Sequence, residues 1–378
     1  MFMTLKVNLL PAQDGPDKLN VSGYLQNMST LWIQKGNPLW QSMNTTTNRL
    51  DFKWYMHEKI TLSASARNIF SYGQMVYNYP VYKELLIRDE GYFDLTTDLF
   101  SDTSYILYTN IDRANILYMH ENVEITAGRQ RINWGINQAW NVNDIFNTFL
   151  LYDFDYIERP GCDAIRAVYY TGVTSSIQMA AKIDRQKKIT AAGLVGFNNW
   201  DYDFQLIGGV MSDDIVVGAG WSGYVSNAGF TGEVSWFADG KKPFGDPGVL
   251  LFSSGANYTF SNSLYIHAAF LFNSDGTTGK AGRGSSIFGL SDLSPKTLTL
   301  ARYSVYSQLS YPLTPLIRAD VSSVVNPSDH SFYSGPGLTF SLSDNASLLL
   351  MSQIFTGESG TEFGDIGNLF FLRFKWSF

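Results

Sequence analysis

Leu369-Phe-Phe-Leu-Arg-Phe-Lys-Trp-Ser-Phe378 closes the chain. Its residues alternate, with Phe370, Leu372, Phe374, Trp376 and Phe378 on one side and Phe371, Arg373, Lys375 and Ser377 on the other. A period of two with one wholly apolar side is the pattern of a half-buried strand. In an open sheet, a last strand of this kind is an unprotected edge that recruits other chains. Closing the sheet on itself removes that edge, because the last strand pairs with the first.

Working back from this end, strands are expected at about 20–33, 48–56, 59–71, 112–120, 122–131, 162–171 and 174–184. They continue at about 187–199, 200–211, 213–224, 227–238, 248–260, 262–274, 298–310, 314–325, 330–343, 345–356 and 366–378. Every second connection is tight: His57-Glu58, His120-Glu121, Gly172-Val173, Asn199-Trp200, Val225-Ser226, Ser261-Asn262, Pro312-Leu313 and Ser343-Asp344. The intervening ones are mostly long, at about 34–47, 72–111, 132–161, 239–247, 275–297 and 357–365. Short turns on one rim and long loops on the other belong to a transmembrane barrel and not to a sandwich. The expected fold is all-β, a single closed antiparallel transmembrane β-barrel of about 18 strands, with 16 as the fallback.

Composition agrees. No stretch of the 378 residues reaches the ~18 apolar residues of a membrane-spanning helix. Mean hydropathy is −0.09, yet aromatics make up 15% of the chain. A barrel with an apolar outside and a polar inside produces that combination; a soluble β-rich protein with a large aromatic core is the rival. A net charge of −7 argues against a nucleic-acid partner. A single cysteine, Cys162, rules out an internal disulfide and a cysteine-based zinc site. Residues 1–13 (MFMTLKVNLLPAQ) are read as the remnant of a signal peptide, leaving 14–378 as the barrel.

Within strands, Leu50, Phe52, Trp54 and Met56 alternate with Arg49, Asp51, Lys53 and Tyr55, and Ile317, Ala319 and Val321 with Arg318, Asp320 and Ser322. About 18 strands are too many for side chains to fill the interior, so the polar faces are expected to line a wet lumen. The pore wall would then carry Arg49, Lys53, Lys59, Arg67, Arg113, Arg166, Lys182, Arg302, Arg318, Arg373 and Lys375. Trp32, Trp200, Trp236 and Trp376 near strand ends would form interfacial girdles.

Gly128-Arg129-Gln130-Arg131-Ile-Asn133-Trp134-Gly135, followed by Trp140, Asn143-Asp144-Ile-Phe-Asn147 and Glu158-Arg-Pro-Gly161, resembles a motif of Gram-negative outer-membrane porin-like barrels. The likeness covers about 40 residues and speaks to architecture more than to substrate. The C-terminal strand likewise resembles the last strand of such barrels. That resemblance implies that Phe374, Trp376 and Phe378 form a signal read by the barrel-insertion machinery.

The segment 132–161 is unusually rich in large apolar side chains for an exposed loop, among them Trp134, Trp140, Phe146, Phe149, Tyr152, Phe154 and Tyr156. In porins the third extracellular loop folds into the barrel, and this segment is third by count. Asp144, Asp153, Asp155 and Glu158 on it would face the basic wall and set up a transverse field at a constriction. The alternative is a packed surface loop in which Arg129 and Arg131 pair with nearby acids. The loop at about 72–111 would plug the lumen or dock a partner.

Enzyme readings are weak. His57, His120, His267 and His330 have no metal-ligand spacing, and there is no Gly-x-Ser-x-Gly elbow. No cofactor is expected beyond a weak option of Ca²⁺ at loop acids such as Asp89-Glu90, Asp213-Asp214 or Asp153 with Asp155. The function expected is passive diffusion of small hydrophilic solutes across the bacterial outer membrane. The alternative is a non-conducting structural or accessory barrel subunit of an outer-membrane complex. Partners would be the lipid bilayer, the insertion machinery, the solutes, and a second copy or a partner barrel.

Overall fold

The structure, a computed structural model, describes residues 18–36, 39–155, 158–243, 245, 247–282 and 293–378. Segment 1–13, read as a signal remnant, and Tyr156 of the third loop lie outside the described residues. The first strands are β1 (Leu19–Ile33), β2 (Trp40–His57), β3 (Ile60–Tyr72), β4 (Thr96–Ser101), β5 (Tyr105–His120), β6 (Val123–Gln130) and β7 (Cys162–Tyr170). There follow β8 (Ser176–Ile183), β9 (Ile189–Asn199), β10 (Tyr202–Met211), β11 (Asp214–Val225), β12 (Ala228–Asp239) and β13 (Val249–Thr259). The last are β14 (Tyr265–Asn273), β15 (Tyr303–Thr314), β16 (Ile317–Asn326), β17 (Ser331–Ser343), β18 (Ala346–Thr356) and β19 (Asn368–Ser377).

All pairings are antiparallel between chain neighbours, except that β5 pairs with β3 past the short β4. Closure comes from β1, which pairs with β2 on one edge and with β19 on the other, Tyr24 to Ile33 running against Ser377 to Asn368. Leaving out β4, which adds only to the edge of β5, the wall is a closed 18-strand barrel. The closing strand resolves into two faces as its alternation requires. Phe370, Leu372, Phe374 and Trp376 are each about 40% exposed on the outside, while Leu369 and Phe371 are buried inside.

Turns and loops segregate. One rim carries only short turns, at 58–59, 121–122, 171–175, 200–201, 226–227, 260–264, 315–316 and 344–345. The other carries the long connections, chiefly 73–104, 131–161, 240–248, 274–302 and 357–367. The expected turn at Pro312-Leu313 falls three residues later, at Pro315-Leu316, because β15 runs on to Thr314.

Two strands are longer than their sequence suggests. The region 34–47 is not a long loop, since β2 already begins at Trp40, and β5 begins at Tyr105 and not at 112. On the long-loop side β1, β2, β3 and β5 extend past the apolar belt, and there polar side chains occupy the outer face as well. Ser29 donates to Asn44 at 2.7 Å, Asn27 to Thr46 at 2.9 Å and Thr109 to Asn68 at 2.7 Å. Polar residues on both faces of β2, and apolar ones on both faces of β5 from Tyr105 to Tyr108, erase the alternation that marks a strand. Trp32 also departs from expectation. It lies inside, not in a girdle, with its indole N–H donating to the Ile366 carbonyl at 2.9 Å.

β6 and β7 are short, 8 and 9 residues, so the wall would be low where the third loop leaves it. Residues 89–101 fill that gap. β4 pairs with β5 beyond the end of β6, and Gly91 bridges to Asp184 at the end of β8.

Candidate functional site

The site is built where chain 131–161 turns into the barrel. Gly128, two residues before the end of β6, adopts φ +111°, and a Cβ there would meet the Ala114 carbonyl oxygen at 2.3 Å. Only glycine fits this kink. Arg129 follows, and its guanidinium binds Asp163 of β7 and Asp89 of the gap-filling segment, at 2.8 and 2.6 Å, with all three side chains buried. A buried arginine between two carboxylates ties the segment 89–101 to the wall. Losing one partner of such a group typically costs about 3–5 kcal/mol. Gln130 donates to the carbonyls of Thr126 and Ala164, both at 3.0 Å, and locks the end of β6 to β7. Asn147 joins the two ends of the loop, accepting from Ile132 N–H at 2.8 Å and donating to the Pro160 carbonyl at 3.1 Å.

The loop then runs round the inner wall in two stretches. From 131 to 147 it packs along β8 to β15, and Ile132, Trp134, Trp140, Val142, Ile145 and Phe146 are buried in one apolar cluster with wall residues such as Leu194, Phe237, Leu271 and Tyr306. Polar anchors run alongside. Trp134 donates to Gln178 at 3.2 Å, Gln205 donates to the Trp134 carbonyl at 2.7 Å and Tyr265 donates to Gln138 at 2.6 Å. Asn137 donates to Ser253, and Ser235 to Asn143. Glu233 of β12, fully buried, accepts the backbone N–H groups of Ile136, Asn137 and Asn143. Lys182 of β8 caps the Phe146 carbonyl.

From 148 onward the chain crosses the lumen. Tyr152 sits edge-on against Tyr333 of β17 at 4.9 Å, and its carbonyl accepts from Gln353 of β18 at 2.8 Å. β8 and β17 lie halfway round the barrel from each other. Phe154 meets Phe371 at 4.8 Å, Asp155 accepts from Gln26 at 2.6 Å and lies 3.6 Å from Arg373, and Tyr24 donates to Glu158 at 3.3 Å. Arg113 of β5 closes the circuit by donating to the carbonyls of Glu158 and Arg159 at 2.7 and 3.0 Å.

The preceding long connection also folds inward. Helices α1 (Gln74–Asn78) and α2 (Pro80–Leu86) carry Met75 and Val76 into a second cluster with Met28, Trp32, Met43, Leu369 and Phe371. Leu86 and Ile87 pack against Ile69, Ile106 and Tyr108. The return half of that connection, by contrast, presents Phe93 and Phe100, each more than 60% exposed.

The four loop acids are not equivalent. Asp155 and Glu158 lie against the wall of β19 and β1. Asp153 is half-exposed and pairs with Arg159 of its own loop at 3.6 Å. Asp144 is buried at the base of the first stretch, accepting from Asn147 N–H at 3.2 Å, with its other oxygen unpartnered. Burial there pushes its carboxyl up to about 6, above the usual range, against the pull of the Asn147 N–H and of Arg131 and Lys182 nearby.

The basic residues also divide. Arg49, Arg67, Arg373 and Lys375 share the arc β19–β1–β2–β3 that faces Asp155 and Glu158. Arg49 pairs with Asp51 at 2.8 Å and Asp112 at 2.6 Å, and Lys375 stands 3.9 Å over the Tyr24 ring. A β-bulge makes this arrangement possible. Asp112 is the extra residue opposite Ser65 and Ala66, so Asp112 and Arg113 both reach inward. Arg166 binds Gln178 at 2.9 Å, Arg302 the Gly276 carbonyl at 3.1 Å and Arg318 its neighbour Asp320 at 2.9 Å. Lys53 lies exposed near the short-turn end, and Lys59 sits in the turn itself.

Sequence reading missed Glu233, Gln205, Ser235, Ser253, Tyr24 and Gln26. The alternation of Glu233 and Ser235 with Val234 and Trp236 was visible, and a carboxylate on the polar face of an otherwise apolar strand was the signal to follow. The role of Tyr24 and Gln26 as loop partners had no such mark, since it depends on which strand closes the barrel.

Among known proteins, no protein-family model and no curated protein matches the sequence. Solved structures match over nearly the whole chain. OccAB4 of Acinetobacter baumannii superposes with a TM-score of 0.61 at 9% identity, covering 96% of this chain and 98% of that one. The outer-membrane protein OprD of Pseudomonas aeruginosa gives 0.58 at 11%, covering 96% and 93%. Pseudomonas aeruginosa OpdK, solved with vanillate, gives 0.56 at 12%, covering 95% and 98%. At this level of identity the likeness is one of fold.

Proposed function

We propose that this chain is an outer-membrane porin of Gram-negative type that lets small hydrophilic solutes diffuse through a lumen narrowed by the inward-folded loop. The observation that carries it is the pairing of a closed 18-strand wall, apolar outside, with a polar interior crossed by loop 131–161. A wall with apolar residues on the outer side suits lipid, and an interior that side chains cannot fill suits water. The long-loop rim is then extracellular and the short-turn rim periplasmic.

Selectivity is assigned to the basic arc of Arg49, Arg67, Arg373 and Lys375, against which Asp155 and Glu158 lie. Charges that line a narrow passage set its local potential, which favours anions wherever bases outnumber the acids beside them. The presence of vanillate, an aromatic carboxylate, in one neighbour of the same fold supports testing organic anions first. Conductance of the purified protein in a planar bilayer, with reversal potentials across a salt gradient, tests the reading. Discrete channel openings are expected, and silent bilayers containing folded barrels would overturn it.

The accessory-barrel reading draws on α1 and α2 inside the lumen and on the exposed Phe93 and Phe100, and silent bilayers would favour it. Phe374, Trp376 and Phe378 on the outer face of β19 are proposed as the insertion signal. Deleting Phe378 should lower the amount of assembled barrel in the membrane, and unchanged levels would count against that role.

A further inference from the structure

Glu233 sits on the lumen face of β12 with no exposed surface, and among the described residues no Lys or Arg forms a salt bridge with it. Its carboxylate is instead held by backbone. One oxygen accepts from Ile136 N–H and, at 2.7 Å, from Asn137 N–H, and the other accepts from Asn143 N–H at 2.9 Å. Consecutive N–H groups converging on one oxygen form a concave anion-binding nest. Here the nest belongs to the loop and the anion to the wall. Ser235, two residues along the same face, donates to the Val142 carbonyl at 2.9 Å and to Asn143, which fixes the far side of the cradle.

We propose that Glu233 is a built-in ligand that positions the lumen loop: the stretch 134–143 is an anion receptor, and the wall supplies the anion that keeps it seated. Apolar packing sets how much of the loop is buried, whereas this carboxylate sets its register on the wall. A fully buried donor left without an acceptor is costly, so emptying the nest leaves three such donors and releases the stretch. The inference deepens the porin reading by naming the residue that positions its constriction.

Chemical rescue tests it. Glu233→Ala removes one methylene and the carboxylate, which are the heavy atoms of acetate. In the folded variant, identified by the heat-dependent gel shift of intact barrels, hydrogen exchange at the backbone amides of 136, 137 and 143 is expected to rise at least tenfold over the parent. Millimolar acetate at constant ionic strength should restore most of that protection. Formate should restore less, because it is one carbon short, and chloride none. Glu233→Gln keeps the shape and one acceptor oxygen, so it should show an intermediate rise, and it serves if the alanine variant does not assemble. Unchanged exchange in either variant, or protection restored equally by chloride and acetate, would overturn the proposal. Exchange is read without any current passing, so silent bilayers alongside acetate rescue would sink the porin reading and leave the receptor intact.

Discussion

The two stretches of the lumen loop are held by different physics. Residues 131–147 lie against β8 to β15 with large side chains fully buried and their backbone donors and acceptors met by wall side chains. Residues 148–155 and 158–160 reach β17, β18, β19 and β1 on fewer anchors, and several of these are charged or partly exposed. Apolar burial is insensitive to salt and scales with area removed from water. Ion pairs near an aqueous lumen are weaker and are screened. The first stretch is therefore a fixed lining, and the second is the part whose charge a passing solute meets.

The largest effect should come from truncating the fixed lining. Phe146 is 2% exposed and meets the Trp134 ring edge-on at 4.8 Å. Phe146→Ala should cost about 3–5 kcal/mol, as aromatic truncations in packed cores do. Phe154, half-buried against Phe371, should cost less than half as much on the same change. Chemical denaturation of the two variants in detergent compares them directly, and equal losses would erase the distinction between the stretches.

Next in size is a pH effect confined to the first stretch. The carboxyl of Asp144 is raised to about 6 in the folded protein, chiefly by burial. Folding therefore favours its protonated form. The penalty is absent below the ordinary carboxylate pKa of ~3.8, grows between there and about 6, and is complete above that. Two pH units correspond to roughly 3 kcal/mol. Asp144→Asn should accordingly be more stable than the parent at pH 7.5, with the gap closing as the pH falls to 4. Unfolding midpoints of both proteins at the two pH values decide this, and a gap that does not change with pH would mean that the group titrates normally.

The smallest effect on stability, and the clearest on permeation, belongs to the crossing stretch. Asp155→Asn with Glu158→Gln should change stability by no more than about 1 kcal/mol. The same pair should shift the reversal potential toward anions, since Arg49, Arg67, Arg373 and Lys375 remain. That shift should fade as salt rises to 1 M, where the Debye length is ~3 Å. Identical reversal potentials for parent and variant would place these acids outside the permeation path.

The alternation of Leu369 to Phe378, the paired rims of short turns and long loops, and the aromatic content determined the barrel, its approximate strand number and the faces of β2, β16 and β19. A strand exposes its two sides in strict turn, so its sidedness is local information. Where local contrast vanished, the reading failed: β2 begins with polar residues on both faces and β5 with apolar ones on both, Tyr105 to Tyr108, while Trp32 lies inside on the same face as Gln26 and Thr30, its indole bonded to the Ile366 carbonyl. The basic residues could be assigned to the lumen by parity. Their division into a basic arc with its own acids, loop anchors and the Arg129 clasp could not. Those roles depend on contacts between groups more than 30 residues apart, such as Arg129 with Asp163 and Glu233 with Asn137, which exist only once closure of the barrel brings distant strands around one loop.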